Sequence, residues 1–341
     1  MAAVPLNNDE IECSLTKKIK LETKDSSENA SDIHENEISL SSFEIKRVLQ
    51  NNCLRKQVCV EGAFKEYKGS TVIVLEKQNF ATDDESLKRD IFNEDTVLRK
   101  LYSNNIYGNY ECFPNKDHNG INAMIIHPAT SKHAEKFIRK ELYIVDETYE
   151  LYQKITLPHI ESSSLSLEWV YNILEHKAEQ DKIVYEDTDK DTGFVLVNDL
   201  KWDGQPHTLK LIALSVEKIR SMRELNASHL PLLKNIRDAG TREIIKKFNI
   251  PPSQLRIYLH YQPSYYHLHV HFAYLMFETP GIFVEKAHLL STVIRNIELM
   301  SDYYTKAVLS YVVAAGDPLC IKFQKEGILT DVKSESTESS K

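Results

Sequence analysis

The residues best suited to chemistry lie in one run, Tyr265-Tyr266-His267-Leu268-His269-Val270-His271-Phe272. In an extended strand, side chains alternate between faces with a period of two. His267, His269 and His271 would then share one face, and Leu268, Val270 and Phe272 the other. Neighbouring imidazoles on that face would have Cα atoms about 6.5–7 Å apart. His260 belongs to the run expected to form the preceding strand and would join them if the two strands pair. Three chemistries fit such a row. The histidines could be surface or structural residues, although the unbroken apolar alternation argues against that. They could hold a metal, since imidazole is the commonest metal ligand and a His-x-His strand can bind zinc. Or a neutral imidazole could attack a phosphorus centre while its neighbours donate hydrogen bonds to the phosphoryl oxygens.

Such a row needs a sheet behind it. Lys182–Tyr185, Gly193–Val197 and Leu209–Leu214 read as strands separated by the turns Asp187-Thr188-Asp189 and Asp203-Gly204. A long helix is expected over Ser228–Phe248, with Leu230, Leu233, Ile236, Gly240, Ile244 and Phe248 on one face and Pro231 in its first turn. Strands over Leu255–Tyr261 and His267–Leu275 follow, then a helix over Val284–Met300. The order β-β-β-α-β-β-α suggests a mostly antiparallel sheet with helices on one side. A further helix runs through Trp169, Ile173 and Leu174.

The remaining chain divides by composition. Residues 1–40 hold nine acidic against four basic residues and no aromatic one, and read as a disordered acidic arm. Lys17, Lys18 and Lys20 read as a solvated charge run, with a nuclear-import signal as the alternative. Residues 41–150 form a small α+β domain: strand-like runs at Val58–Val60, Thr71–Leu75 and Ala123–Ile126 follow a helix expected near Ser42–Gln50. Residues 151–165 form a connector, 166–330 the domain of the histidine row, and 331–341 a disordered tail. The fold class is α+β.

Composition excludes other classes. The 341 residues carry 42 Lys+Arg against 50 Asp+Glu, a net charge of −8, which argues against binding long nucleic acid. No apolar run approaches the roughly 18 residues of a membrane span, and no secretory signal is expected at the amino terminus. The five cysteines are scattered without a Cys-x-x-Cys pair, so neither a disulfide framework nor a cysteine zinc site is expected.

His267-Leu268-His269-Val270-His271-Phe272 resembles the motif of the histidine triad superfamily of nucleotide hydrolases and transferases. Within it, several segments are similar to the scavenger mRNA-decapping family: Tyr258 to Tyr266, Trp169 to Leu174, Lys177-Ala178-Glu179, Gly193 to Trp202, Ser103 to Tyr107 and Thr156 to His159. The resemblance covers about residues 40 to 325. It implies a histidine-triad-like antiparallel sheet with helices in the carboxy-terminal domain. It implies hydrolysis of the 7-methylguanosine triphosphate cap on a cap dinucleotide or short capped oligoribonucleotide, yielding 7-methylguanosine monophosphate and a diphosphate, with no metal or cofactor. It also implies a homodimer with exchanged amino-terminal domains, and a cytoplasmic location with the nucleus as an additional one.

On this resemblance His269 is the nucleophile, His267 and His271 bond phosphate and leaving-group oxygens, and His260 is a further phosphate-site residue. Ser264 and Tyr265 complete an anion cradle, and Lys201 and Lys286 supply positive charge. Trp169 and Leu200 would sandwich the cationic methylguanine. Glu179 would accept from its N–H edge, and Asp199 would contact ribose or base. Asn104 and Tyr107 would reach the second nucleotide. By themselves, Trp169 fits a helical core stripe, Glu179 a solvated helix end, and Asp199 and Lys201 turn residues. Two positions depart from the pattern. Lys286 stands where an arginine is expected, losing a bidentate fork, and Asn198 stands where a proline often precedes Asp-Leu-Lys. Competing readings are another dinucleoside polyphosphate hydrolase or nucleotidyl transferase of the superfamily, and a cap-binding module without turnover.

Overall fold

The computed structural model describes residues 38–162, 167–200, 202–278 and 281–330, in two compact units divided between Arg139 and Lys140. The expected tail, the arm up to residue 37 and Lys201 lie outside the described residues.

The first unit contains β1 (Phe43–Asn52), β2 (Gln57–Phe64), β3 (Ser70–Lys77), β4 (Val97–Asn104), β5 (Tyr107–Phe113) and β6 (Ile121–Ala129). Strands β1-β2-β3-β6 form an antiparallel sheet, and β4 and β5 a separate hairpin. The helix expected near Ser42–Gln50 is instead β1. Phe43 pairs with Phe64 and Val48 with Val60 on β2, and Leu49 is buried among Cys59, Val72 and Val74. That cross-strand packing outweighs the local helical spacing. In the β4–β5 hairpin only Glu111 is partly covered; Val97, Leu98, Leu101, Tyr102, Tyr107, Tyr110 and Phe113 are exposed.

The second unit begins at Lys140, ahead of the boundary drawn at 150. The cause is β7 (Leu142–Glu147), which pairs antiparallel with a strand over Leu309–Ala314 near the end of the chain. Residues 149–162, which overlap the connector expected over 151–165, are helical, with a π-helical turn over Tyr152–Thr156.

The main sheet comprises β8 (Ile183–Asp187), β9 (Phe194–Asn198), β10 (Lys210–Ser215), β11 (Leu255–His260), β12 (His269–Tyr274) and β13 (Ala287–Leu289), in the antiparallel order β13-β11-β12-β10-β9-β8. Helix α1 (Glu168–Leu174) precedes it, α2 (Leu230–Phe248) joins β10 to β11, and α3 (Leu290–Leu299) follows β13. Helix α3 is shorter than expected over Val284–Met300, because Ala287–Leu289 pair with Tyr258–His260 on β11.

Alternation assigns the two faces of the sheet. Phe194, Leu196, Leu211, Ala213, Leu259, Val270 and Phe272 meet Leu233, Ile236 and Ile244 of α2 and Val293 and Ile297 of α3 in one core. Each such fully buried aliphatic side chain contributes roughly 1.5–3 kcal/mol. Helix α2 approaches most closely at Gly240, where a Cβ would lie 2.6 Å from the Phe272 ring. The helices are not confined to one side. Val170 and Ile173 of α1 cover the opposite face over Val195, Val197 and Leu214. That face also carries the histidines.

Candidate active site

Antiparallel register arranges the α1 face in rows. Leu214 stands opposite His269, Ile212 and Tyr258 flank His271, and Lys210 and Arg256 flank Ala273. His260, two residues beyond Tyr258 on β11, completes an imidazole cluster. One nitrogen from each of His260, His269 and His271 lies within 4.8 Å of the others, close enough for a metal to be a conceivable guest. The His260 and His271 rings are 4.4 Å apart, and Tyr258 stacks on His271 at 5.1 Å.

His267 does not join this cluster. Leu268 packs into the α2 core with Val270 and Phe272, so the alternation extends to His267, although β12 itself begins only at His269. The His267 ring turns aside, donates from Nε2 to the Ser215 carbonyl at 2.8 Å, and meets Tyr171 edge-on. Its own carbonyl accepts from His269 Nδ1 at 2.7 Å. A carbonyl can only accept, so Nδ1 holds the proton of the neutral His269 ring and Nε2 holds the lone pair.

Burial keeps these rings neutral. It lowers His269 from 6.5 to about 4 and His260 to about 3. His271 is held well below the ordinary value by burial and by the neighbouring His260, His269 and Lys286, and His267 is lowered mainly by burial. Unfolded histidines titrate near 6.5. Below that pH the unfolded chain therefore binds more protons, and stability falls as pH drops toward the folded values. Thermal melting should show Tm falling between pH 6.5 and 5, above the carboxylate range. A flat profile there would mean that the imidazoles are solvated.

Around the cluster, Tyr265 stacks on His269 at 4.0 Å, and its buried hydroxyl has no hydrogen-bond partner among the described residues. Burial, aided by Asp199, raises the Tyr265 hydroxyl's pKa, so it stays a donor. Trp169 meets Tyr265 edge-on at 4.8 Å and is 38% exposed, leaving indole surface open. Lys286 lies close enough for its charge to lower His260, His269 and His271. Gly281 accepts from His260 Nε2 at 3.0 Å; with φ at +86° and its hypothetical Cβ 2.9 Å from that nitrogen, only glycine suits the position.

Thus His260, His269, His271, Tyr265, Trp169, Asp199 and Lys286 are drawn together. Others stand apart. Ser264 is exposed in the bend before His267. Leu200 is exposed in the turn after β9. Glu179, in a left-handed conformation after α1, pairs with Lys182 at 3.1 Å. Asn104 and Tyr107 end and begin the strands of the hairpin in the first unit. Asn198 falls by alternation on the α2 side with Phe194 and Leu196, away from the histidine face.

The sequence reading missed Tyr258, although its i,i+2 spacing from His260 on a strand was a usable signal. It also missed a buried support under the loop. Arg223 pairs with Glu147 at 3.0 Å, both side chains fully buried. Arg223 also donates to the Tyr304 and Ala307 carbonyls. The same carboxylate accepts from Tyr261, Tyr311 and Thr156. Tyr261 opens the loop that carries Tyr265 and His267. No local pattern brings Glu147 and Arg223 together.

Two family models match, one described as scavenger mRNA decapping enzyme N-terminal over residues 38–140, the other as scavenger mRNA decapping enzyme C-term binding over residues 168–287. The chain is 41% identical over 295 residues to the m7GpppX diphosphatase of Bos taurus, covering 84% of this chain and 87% of that protein. It is 42% identical over 289 residues to that of Homo sapiens, covering 83% and 85%. It is 40% identical over 285 residues to that of Ascaris suum, covering 83% and 93%.

Proposed function

The chain belongs to the scavenger mRNA decapping enzyme family, and we propose that His269 is the nucleophile with which it cleaves methylated caps. The protein is a hydrolase of the m7GpppX type acting in scavenger mRNA decapping. In the proposed mechanism, Nε2 of His269 attacks the phosphorus that carries 7-methylguanosine. The bond to the bridging oxygen breaks, and the diphosphate leaves with its electron pair. Water then attacks the nucleotidyl-histidine and releases 7-methylguanosine monophosphate. The observation that carries this reading is the 2.7 Å bond from His269 Nδ1 to the His267 carbonyl, which directs the lone pair to Nε2. The buried Tyr265 hydroxyl and the neutral His271 ring, neither with a hydrogen-bond partner at these atoms among the described residues, supply donors where charge develops.

The test is a single-turnover reaction with a methylated cap dinucleotide and excess chelator, quenched in alkali and read by mass spectrometry. A methylguanylyl adduct on His269 and chelator-insensitive release of 7-methylguanosine monophosphate are expected. A second reading, a metal held by the three imidazoles, is favoured by their 4.8 Å cluster. Activity lost to chelator and restored by Zn²⁺ would establish it.

The base pocket is proposed at Trp169, with Glu179, Asp199 and Leu200 as the further base contacts that the family resemblance implies. Trp169→Ala should raise KM for a methylated cap about tenfold, the weight of one desolvated cation–π contact. An equal effect on the unmethylated cap would remove the tryptophan from that role. Pairing of two chains is proposed from the β4–β5 hairpin, whose apolar residues no other part of the described chain covers. An isolated ribbon of this kind is marginal, and a second copy would bury it. Sedimentation of the protein should give a dimer, and Leu98→Glu with Leu101→Glu should shift it toward monomer.

A further inference from the structure

The histidine face continues past His271 to two cations that the mechanism above does not use. Lys210 on β10 and Arg256 on β11 stand directly opposite Ala273, one on each side. Directly opposed residues in an antiparallel pair share a face. Their chain neighbours Leu211 and Ile257 pack into the α2 core, so Lys210, Ala273 and Arg256 lie on the face of His271 and Tyr258, one row further along.

Among the described residues neither cation makes an ion pair. Arg256 donates from Nη2 to the Leu275 carbonyl at 3.3 Å, while its Nη1 is buried with no hydrogen-bond partner among the described residues. Lys210 places Nζ 5.0 Å from the centre of the Phe277 ring, and its charge is one of those depressing His271. A buried guanidinium nitrogen without an acceptor is costly to keep, and a ligand oxygen there would satisfy it. An acidic neighbour along this row is Asp199, whose N–H bonds the Lys210 carbonyl. Its carboxylate acts on Tyr265, on the Trp169 side.

We propose that Lys210 and Arg256 form an anion subsite for the phosphates of the leaving nucleotide. The proposal rests on His269 as nucleophile. With the attacked phosphorus at His269 and the leaving oxygen at His271, the next row, about 6.5–7 Å on, receives the anionic groups that follow. Ala273 has only a methyl group to place between the two cations. The ligand class is a nucleoside 5′-diphosphate or the 5′ end of a short oligoribonucleotide.

The experiment compares wild type, Lys210→Gln, Arg256→Met and the double variant on two substrates, the cap dinucleotide m7GpppG and the trinucleotide m7GpppGpG. Inhibition by 7-methylguanosine monophosphate serves as a measure of the intact cap pocket. KM should rise about tenfold per variant, the loss of one charge-assisted hydrogen bond, with that inhibition unchanged. A rise on both substrates places the bridge phosphates at the subsite, and a rise on the trinucleotide alone places the first phosphodiester there. If Arg256→Met also loses inhibition by 7-methylguanosine monophosphate, Lys210→Gln decides by itself. KM unchanged on both substrates overturns the subsite. Failure of the wild type to release 7-methylguanosine monophosphate would instead sink the catalytic reading beneath it.

Discussion

His269→Asn is expected to bind a methylated cap dinucleotide close to wild-type affinity and to release product at least about 10⁴ times more slowly. Asparagine fills most of the same volume and keeps a polar end near the His267 carbonyl. It offers no basic nitrogen for phosphorus, so the covalent step is lost while the Trp169 and Tyr265 surroundings remain. The pH profile of the wild type carries the same logic. Burial lowers His269 to about 4, so the lone pair on Nε2 survives well below the ordinary imidazole range. The rate constant for the first turnover should stay level from pH 7 to about 5 and fall as pH approaches 4. Normal turnover by His269→Asn would remove His269 from the nucleophilic role.

Arg223→Met should destabilise the second unit by about 3–5 kcal/mol, the usual cost of leaving one member of a buried ion pair alone. At roughly 2–4 °C per kcal/mol for a unit of this size, Tm should fall by about 10 °C. Glu147 would then be a carboxylate sealed in the core with only the Tyr261, Tyr311 and Thr156 hydroxyls to hold it. Changing both partners, Glu147→Gln with Arg223→Met, should recover part of that loss because no uncompensated charge remains. Tyr261→Phe tests the link to the site. It removes the hydroxyl that anchors the start of the Gln262–Tyr266 loop while leaving the ion pair intact. A fall in kcat larger than the change in Tm would mark Tyr261 as a positioning residue for Tyr265 and His267. A proportionate fall would leave it a purely structural one.

The apolar alternation of Val270 and Phe272 with His269 and His271 is a local property of a strand, and it survives folding: the two apolar residues enter the α2 core and the two imidazoles face α1. The helix over Leu230–Phe248 was legible for the same reason, with Pro231 at its start and Asn249 in the left-handed conformation that ends it. Residues 42–50 were misread because a nine-residue window fits both helical and extended spacing, and only β2 across the sheet decides between them. His267 keeps the expected face, with Tyr171 against its ring, but stands outside the cluster because alternation does not state what a ring will bond; the Ser215 carbonyl, 52 positions away in the chain, captures it.

By itself the sequence determined which residue types could act on a phosphate, that His269 and His271 share a strand face, and the family to which the chain belongs. Tertiary structure alone decided which nitrogen of His269 carries the lone pair, that His260 rather than His267 completes the cluster, and that Glu147 and Arg223 meet beneath Tyr261. It also set Lys210 and Arg256 on either side of Ala273. The physical reason is one of range. Side-chain period is written in neighbouring residues, whereas a tautomer, a buried charge pair or a row across three strands depends on partners tens of residues apart, brought together only when the sheet and its core close.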